Sequence, residues 1–332
     1  MKAAQFLDKR LIFLTGKGGV GKTTLTAALG YLASRCGKKV LVCELEKRGN
    51  LPLALGLDGS TYSQRKVDDN LYVMSMDTGR ALAEYAQLTL KLPYFAPIGP
   101  LGNIVELFSM AAPGVREILS VGKLCYEIHE DNYDLVIADA SATGHVSGIL
   151  GTSRNVHNLT SAGIIRDQTS WMDDILYNPA QTSIAIATTA QETPIAETLE
   201  LLETLSHSSD HPGNSVFVNR VPSELFNRRE ESIFRTLTGE LGKPARAEKK
   251  TADEMRRLDS LFSAADLAIK IRRSEEVQLK YFESSLQLQA AAKEGDSPET
   301  YYVPYLFMQG DPFDMTKQIA LHLAEELSIE LS

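Results

Sequence analysis

The stretch from residue 11 to residue 24, LIFLTGKGGVGKTT, decides the fold. Its first four residues, Leu11 to Leu14, form a short apolar run that predicts a buried strand. A glycine-rich turn follows, and the apolar spacing from Thr24 to Cys36 predicts a helix. The order of strand, glycine-rich loop and helix is typical of proteins that hold a phosphate group at the start of a helix.

The glycine-rich turn from Gly16 to Thr23 matches the pattern G-x-x-x-x-G-K-[ST]. Chance alone would produce on the order of one such match in a hundred chains of this length. Glycines allow successive backbone N–H groups to turn inward around a phosphate, and the following helix points its positive end at the same anion. The residues of this loop that we expect to bind a nucleotide are Gly16, Lys17, Gly18, Gly19, Val20, Gly21, Lys22, Thr23 and Thr24.

Two side chains of this loop and one distant carboxylate predict a site for a magnesium nucleotide. We expect Lys22 to hold the β- and γ-phosphates and Thr23 to place its hydroxyl on Mg²⁺. Asp139 directly follows the apolar run from Leu135 to Ala138, where a carboxylate can order the water shell of the metal. An aspartate at the end of a strand is common in proteins, so Asp139 by itself is weak evidence.

The rest of the chain alternates between strand-like and helical segments. Apolar runs at residues 39–44, 135–138, 183–187 and 215–218 predict strands, and helical stretches lie between most of them. This alternation predicts an α/β fold with a doubly wound, mostly parallel sheet that helices cover on both faces. A late run from Tyr302 to Phe307 could supply one more strand.

Three regions depart from simple alternation within what we expect to be a single P-loop domain over residues 1–332. Residues 79–130 and 148–179 predict a helical subdomain on one side of the sheet. Residues 223–294 are charged and helical in pattern, with breaks near residues 239–244. Basic and acidic residues are mixed there, which favours a solvated helix face.

The composition excludes several classes of protein. The 332 residues carry 34 basic and 43 acidic side chains, and a net charge of −9 argues against nucleic acid as a partner. The N-terminal segment lacks the apolar core of a signal sequence, and no run approaches the ~20 residues of a membrane span. We therefore expect a cytoplasmic protein with no direct membrane insertion. Its three cysteines form no CxxC pair, so we expect neither a disulfide framework nor zinc.

A second lysine in the loop leads to a resemblance with a known family. Lys17 precedes the central glycines, and the loop resembles the deviant Walker A motif of dimeric ATPases, in which this extra lysine reaches the partner subunit's nucleotide. Residues 139–145, DASATGH, are similar to the second switch, D-T-A-P-T-G-H, of the arsenite-transporting ATPase (ArsA) family. That family includes the guided-entry ATPases that target tail-anchored proteins. The resemblance covers residues 11–222, with a looser similarity near Pro304.

The resemblance implies roles for several further residues. Glu192 and Asn219 match contacts to the ribose and the adenine, and Pro304 matches a residue beside the base. An asparagine just past a strand can instead cap the next helix. His145 matches a switch residue, although a histidine with its hydrogen bonds satisfied at an interface is an equal alternative.

The first switch of the family, D-P-A-H-N-L, corresponds here to residues 46–51, EKRGNL. Asn50 and Leu51 agree with the family, and Asn50 is therefore expected near the nucleotide. Glu46 stands where the family's aspartate polarises the attacking water, and it keeps the carboxylate with one more methylene. The alternative is that Glu46 belongs to a solvated, charged loop.

The two functions known for the family find little support in this sequence. Arsenite needs clustered thiolates, whereas Cys36, Cys43 and Cys125 are expected on separate elements. A CxxC zinc motif and a long Met-rich insertion for tail-anchored clients are not obvious. The helices of residues 79–130 could form a client groove, although core packing is the alternative use of their apolar residues.

These observations together predict a Mg²⁺-dependent ATPase that works as a face-to-face dimer. ATP would close the dimer and hydrolysis would reopen it, which would control the binding of a protein or small-molecule client. The dimer could be a homodimer or a heterodimer with a related ATPase. The altered first switch leaves a second hypothesis, a regulatory subunit that binds nucleotide and hydrolyses it weakly. A DNA-partition ATPase would need a coherent basic surface, which the net charge disfavours.

Overall fold

The computed structural model describes residues 6–81, 83–84, 115–140, 171–206, 214–241, 252–293, 297–307 and 310–330. These residues contain a sheet of eight strands in the spatial order β3-β4-β2-β5-β1-β6-β7-β8. All neighbouring strands are parallel except β3 and β4, which are antiparallel. The strands are β1 (Leu11–Gly16), β2 (Val40–Glu44), β3 (Arg65–Asp68), β4 (Leu71–Ser75), β5 (Leu135–Asp139), β6 (Thr182–Thr189), β7 (Asn214–Val221) and β8 (Glu299–Pro304).

The predicted α/β fold with a mostly parallel sheet is therefore confirmed. Five of the predicted strands are present, and the late strand is also present but begins at Glu299 instead of Tyr302. The pattern did not predict β3 and β4. Strand β3 is a charged four-residue strand at the edge of the sheet, so its sequence carries no apolar run to reveal it.

Seven helices among the described residues are labelled here. They are α1 (Lys22–Arg35), α2 (Asn50–Ala54), α3 (Val115–His129), α4 (Glu192–Ser206), α5 (Arg228–Leu241), α6 (Ala252–Lys293) and α7 (Pro312–Glu326). Residues 78–81, 83–84 and 171–176 are also helical. Much of the predicted helical subdomain, including residues 85–114 and 148–170, lies outside the described residues.

The central strand β1 is buried on both faces, which explains its continuous apolar sequence. Ile12 and Leu14 pack into a core that α1 and α7 cover. Leu11 and Phe13 point to the other face, into a core that α3 and residues 171–176 cover. Successive strand residues face opposite sides of a sheet, so one run of sequence supplies both cores.

The described part of the charged region between residues 223 and 294 contains two helices, α5 and α6. The break predicted near residues 239–244 overlaps the end of α5, and residues 242–251 lie outside the described residues. Most of the 42-residue α6 is exposed, but Phe282 is fully buried and packs with Leu286 against α4. In the part of the chain that the structure describes, no helix, α6 included, has the length and apolarity that crossing a membrane requires.

The parallel strands bring their carboxyl ends to one edge of the sheet. Gly16 of β1, Glu44 of β2 and Asp139 of β5 end there side by side, because β5 pairs with both β1 and β2. Strands β6 and β7 continue the same edge on the other side of β1. In doubly wound sheets this edge is where ligands bind.

Candidate nucleotide site

The phosphate loop has a backbone that favours glycine at Gly16 and Gly21, where the loop also passes close to neighbouring strands. Gly16 has φ 142°, and a Cβ added there would lie 2.1 Å from the carbonyl oxygen of Ala187 on β6. Gly21 has φ 95°, and a Cβ there would lie 2.3 Å from Nδ2 of Asn219 on β7. The glycines therefore let the loop pack directly against β6 and β7.

Lys22 is folded over the backbone of the loop. Its Nζ donates hydrogen bonds to the carbonyl oxygens of Gly16, at 2.9 Å, and Lys17, at 3.0 Å. Burial lowers the pKa of Lys22, the nearby Asp139 carboxylate raises it, and the positive charge of Arg48 lowers it further. An ammonium group held against the backbone of the glycine-rich loop is placed for the predicted phosphate contact.

Thr23 and Asp139 form a pair of oxygen ligands at the start of α1. The Thr23 hydroxyl donates a 2.6 Å hydrogen bond to Oδ2 of Asp139. Asp139 is buried, and this burial raises the pKa of its carboxyl to about 6. Hydroxyl and carboxylate oxygens are ligands that suit Mg²⁺, so the two residues predicted to serve the metal fit it and lie together.

Lys17 lies in an ion pair within its own subunit. Its Nζ is 2.5 Å from Oε1 of Glu197 on α4, and about a third of each side chain is exposed. The resemblance implies that Lys17 reaches a partner subunit, and this role remains a prediction. Glu197 is a residue to which the sequence analysis assigned no role.

The first-switch loop contains two ion pairs that point to different neighbours. Glu46 is paired with Arg48, whereas Lys47 is paired with Asp77 at 3.2 Å. The side chain of Glu46 is about one third exposed. Its role as the residue that orients water remains a prediction.

The sequence analysis overlooked Glu44, the residue that anchors this loop. Its buried carboxylate accepts hydrogen bonds from the N–H groups of Gly49 and Asn50, both at 2.9 Å, and from the hydroxyl of Ser75, at 3.0 Å. These bonds join the loop and the start of α2 to the ends of β2 and β4. The available signal was a carboxylate that closes an otherwise apolar strand, because such a charge needs buried partners.

Asn219 contacts the phosphate loop. Its Nδ2 donates a 2.9 Å hydrogen bond to the carbonyl oxygen of Val20, and its Oδ1 accepts one from the N–H of Arg220. Asn219 is 7% exposed, and its buried side chain connects β7 to the phosphate loop. The contact of Asn219 with the adenine remains a prediction, and a cap on the next helix is not among these two hydrogen bonds.

The other predicted residues lie at the same edge of the sheet or outside the described residues. Asn50 begins α2 and is exposed, Glu192 begins α4 and is exposed, and Pro304 ends β8 opposite Val221. His145 lies outside the described residues. A cavity of about 600 Å³ extends beyond these strand ends, between β7 and α6.

The three cysteines lie on separate elements, as predicted. Cys36 caps α1 and is exposed, while Cys43 on β2 and Cys125 on α3 are buried. Burial raises the pKa of both buried thiols, which keeps them protonated and poor as metal ligands. Among the described residues no group of three or more His, Cys, Asp or Glu side chains is placed to hold a metal.

Comparison with known proteins gives one family. Residues 9–166 match the model of the anion-transporting ATPase family. The chain is 29% identical to ATPase BagA of Mycobacterium tuberculosis over 228 residues. This alignment covers 65% of this chain and 66% of BagA. The chain is 32% identical over 157 residues to a putative arsenical pump-driving ATPase of Aquifex aeolicus, covering 45% of this chain and 51% of the relative. It is also 32% identical over 136 residues to ATPase get3 of Schizosaccharomyces pombe, and this alignment covers 40% of each chain.

The matched segments thus span between two fifths and just under two thirds of these relatives. The family match begins before β1 and includes the phosphate loop, the first switch and Asp139. By this match, residues 9–166, which make up just under half of the chain, are similar to the anion-transporting ATPase family.

Proposed function

We propose that the chain is a Mg²⁺-dependent ATPase that hydrolyses ATP at the edge of the sheet where β1, β2 and β5 end. The observation that carries the proposal is the joint placement of Lys22 and the Thr23–Asp139 pair. The ammonium group of Lys22 is folded over the loop backbone, and Thr23 and Asp139 form a hydrogen-bonded pair of oxygen-bearing side chains at the same edge of the sheet. A phosphate chain and its metal need this combination.

Different residues of the chain bind the phosphates, hold the metal and orient the attacking water in this proposal. The loop N–H groups and the amino end of α1 bind the phosphates, and Lys22 exchanges its two carbonyl partners for phosphate oxygens. Thr23 and Asp139 would hold Mg²⁺, which would neutralise part of the phosphate charge. Glu46 orients the attacking water and accepts its proton.

Dimerisation is the second part of the proposal. We infer that Lys17 leaves Glu197 when two subunits close face to face, and that it then contacts the nucleotide of the partner. The closed and open states would differ in their affinity for a protein or small-molecule client. A homodimer and a heterodimer with a related ATPase both satisfy this scheme. A cytoplasmic location and the absence of nucleic acid from the mechanism remain predictions from the sequence.

A specific observation favours a second candidate function. Glu46 forms an ion pair with Arg48. A subunit that keeps this ion pair when ATP binds would have no carboxylate free to orient the attacking water. The chain would then be a regulatory nucleotide-binding subunit with weak hydrolysis. Its turnover would rise only when a catalytic partner is added.

The experiment that tests the proposal is steady-state ATP hydrolysis by the wild type and by Lys22→Ala. We expect turnover that requires Mg²⁺ and that Lys22→Ala abolishes, because this change removes the cation folded into the loop. Lys66→Ala is the matched control, since Lys66 pairs with Asp69 at the edge strand β3. Equal turnover and equal nucleotide affinity in the wild type and in Lys22→Ala would refute the proposal.

A further inference from the structure

We propose that Arg48 is a catalytic residue of this reaction, whose guanidinium leaves Glu46 and contacts the γ-phosphate of ATP in its own subunit. The inference rests on the proposed function and extends it. It assigns a second cation to the site, in addition to Lys22, and it gives the Glu46–Arg48 ion pair a role as the resting state.

Two anchors hold Arg48 beside the phosphate loop. On one side, the N–H of Leu45 donates a 3.2 Å hydrogen bond to the carbonyl oxygen of Asp139. On the other side, the N–H of Gly49 donates to the buried carboxylate of Glu44. Only residues 46–48 lie between these anchors. The backbone of the loop is therefore held beside Asp139 at the end of β5, whichever partners its side chains contact.

The two basic residues of this short loop differ in their surroundings. Lys47 is paired with Asp77, which follows β4, and so it is turned away from β1. Arg48 is paired with Glu46, and its own N–H donates a 2.7 Å hydrogen bond to the Glu46 carbonyl, which makes a tight turn. The charge of Arg48 lowers the pKa of both Lys22 and Asp139, so its field reaches the phosphate and metal ligands.

The Arg48 side chain is free to exchange partners. Its side chain is 68% exposed, and an exposed ion pair contributes only about 0–1 kcal/mol. A γ-phosphate offers more negative charge than one carboxylate, and the planar guanidinium can donate two parallel hydrogen bonds to it. Binding of ATP would thus draw Arg48 away from Glu46.

The movement of Arg48 from Glu46 to the γ-phosphate would free Glu46 to act on the attacking water and place Arg48 beside the phosphoryl group. Glu46, released from Arg48, orients water and accepts its proton. The water oxygen forms a bond to the γ-phosphorus, and the bond from that phosphorus to the bridging oxygen breaks, with its electron pair going to ADP. Arg48 stabilises the charge on the transferred phosphoryl group, as cations at such positions do in other phosphoryl-transfer sites. The products are ADP and inorganic phosphate, and the proton on Glu46 passes to solvent.

The test compares Arg48→Ala and Arg48→Lys with the control Lys47→Ala, which removes the adjacent cation of the same loop. We expect Arg48→Ala to lower kcat by about 10²- to 10³-fold, the loss that removal of one charge-stabilising donor causes. Arg48→Lys should recover part of this loss, because it keeps the charge without the planar fork. Lys47→Ala should hydrolyse ATP within about twofold of the wild type.

Nucleotide binding separates a catalytic from a structural role. Because Arg48 is proposed to contact the γ-phosphate, Arg48→Ala should weaken binding of a non-hydrolysable ATP analogue and leave the affinity for ADP unchanged. Equal losses for both nucleotides, or equal kcat for Arg48→Ala and the wild type, would overturn the inference. If Lys22→Ala abolishes turnover while Arg48→Ala does not, only the role of Arg48 fails. If Lys22→Ala also retains full turnover, the proposed function itself fails.

Discussion

Lys17 of the phosphate loop and Glu197 of α4 form an ion pair, with 2.5 Å between Nζ and Oε1. The pair joins the loop after β1 to the helix after β6, two elements that flank neighbouring strands. A lysine that serves a partner subunit must first leave this carboxylate. The pair therefore opposes closure of the proposed dimer by the small amount that a partly exposed ion pair contributes.

The first prediction concerns this pair. Glu197→Gln should favour ATP-dependent dimerisation by up to about fivefold, because it removes an ion pair worth at most about 1 kcal/mol from the open state. Lys17→Ala should leave a folded subunit that binds nucleotide weakly and does not close. Sedimentation or sizing with ATP and with ADP measures both effects. Glu200→Gln, on the exposed side of the same helix, is the control, and an effect equal to that of Glu197→Gln would contradict the prediction.

The second prediction concerns Glu46. Glu46→Gln keeps the shape of the side chain and removes its charge, so turnover should fall by the ~10²–10⁴-fold that general-base assistance supplies. ATP affinity should stay within a few-fold of the wild type, since the side chain acts on the water and not on the bound nucleotide. Turnover near the wild-type rate, in protein shown by sizing to be dimeric, would favour the regulatory-subunit hypothesis.

The third prediction follows from the raised pKa of Asp139. An unfolded aspartate ionises near pH 4 and the folded one near pH 6, so the folded state binds more protons between these values. Stability therefore decreases as the pH rises through this window and is constant above it. Asp139→Asn removes this cost, and at neutral pH it should stabilise the nucleotide-free protein by up to about 3 kcal/mol. It should also impair Mg²⁺-dependent ATP binding.

Urea unfolding of the nucleotide-free protein at pH 5 and pH 7.5 measures this effect. The gain from Asp139→Asn should be larger at pH 7.5. Asp58→Asn, which makes the same substitution at an exposed position, is the matched control. A gain that is equal at the two pH values would mean that burial does not shift the ionisation of Asp139.

The fourth prediction concerns the contact between the loop and β7. Gly21→Ala should destabilise the nucleotide-free protein by about 1–3 kcal/mol, because its φ is positive and the new Cβ would overlap the amide of Asn219. Gly18→Ala is the control, since no atom lies within 4 Å of a Cβ there. Adding Asn219→Ala to Gly21→Ala should recover part of the loss, because it removes the overlapping amide. Equal unfolding free energies for Gly21→Ala and Gly18→Ala would contradict the prediction.

Much of the fold was predictable because it depends on patterns of apolar and glycine residues that are close together in the sequence. The apolar run of β1, the spacing of the loop glycines and the helical period of α1 each depend on residues close in sequence. Asp139 was predictable for the same reason, since a parallel strand places its last residue at the edge where the loop lies. The sequence by itself thus determined the class of fold and the placement of the glycine-rich loop, Thr23 and Asp139 at one edge of the sheet.

The contacts that control the site depend on residues far apart in the chain, and only the tertiary structure decided them. Lys17 and Glu197 are 180 positions apart, and Asn219 lies 199 positions from Val20. Glu44 is close to Gly49 in sequence, but its burial beside Ser75 depends on the pairing of β2 with β4. No local periodicity records such pairings, because a single ionic or hydrogen-bonding side chain fits many partners. Which partner it meets is set by the order of the strands, and that order minimises the exposed apolar surface of the whole sheet.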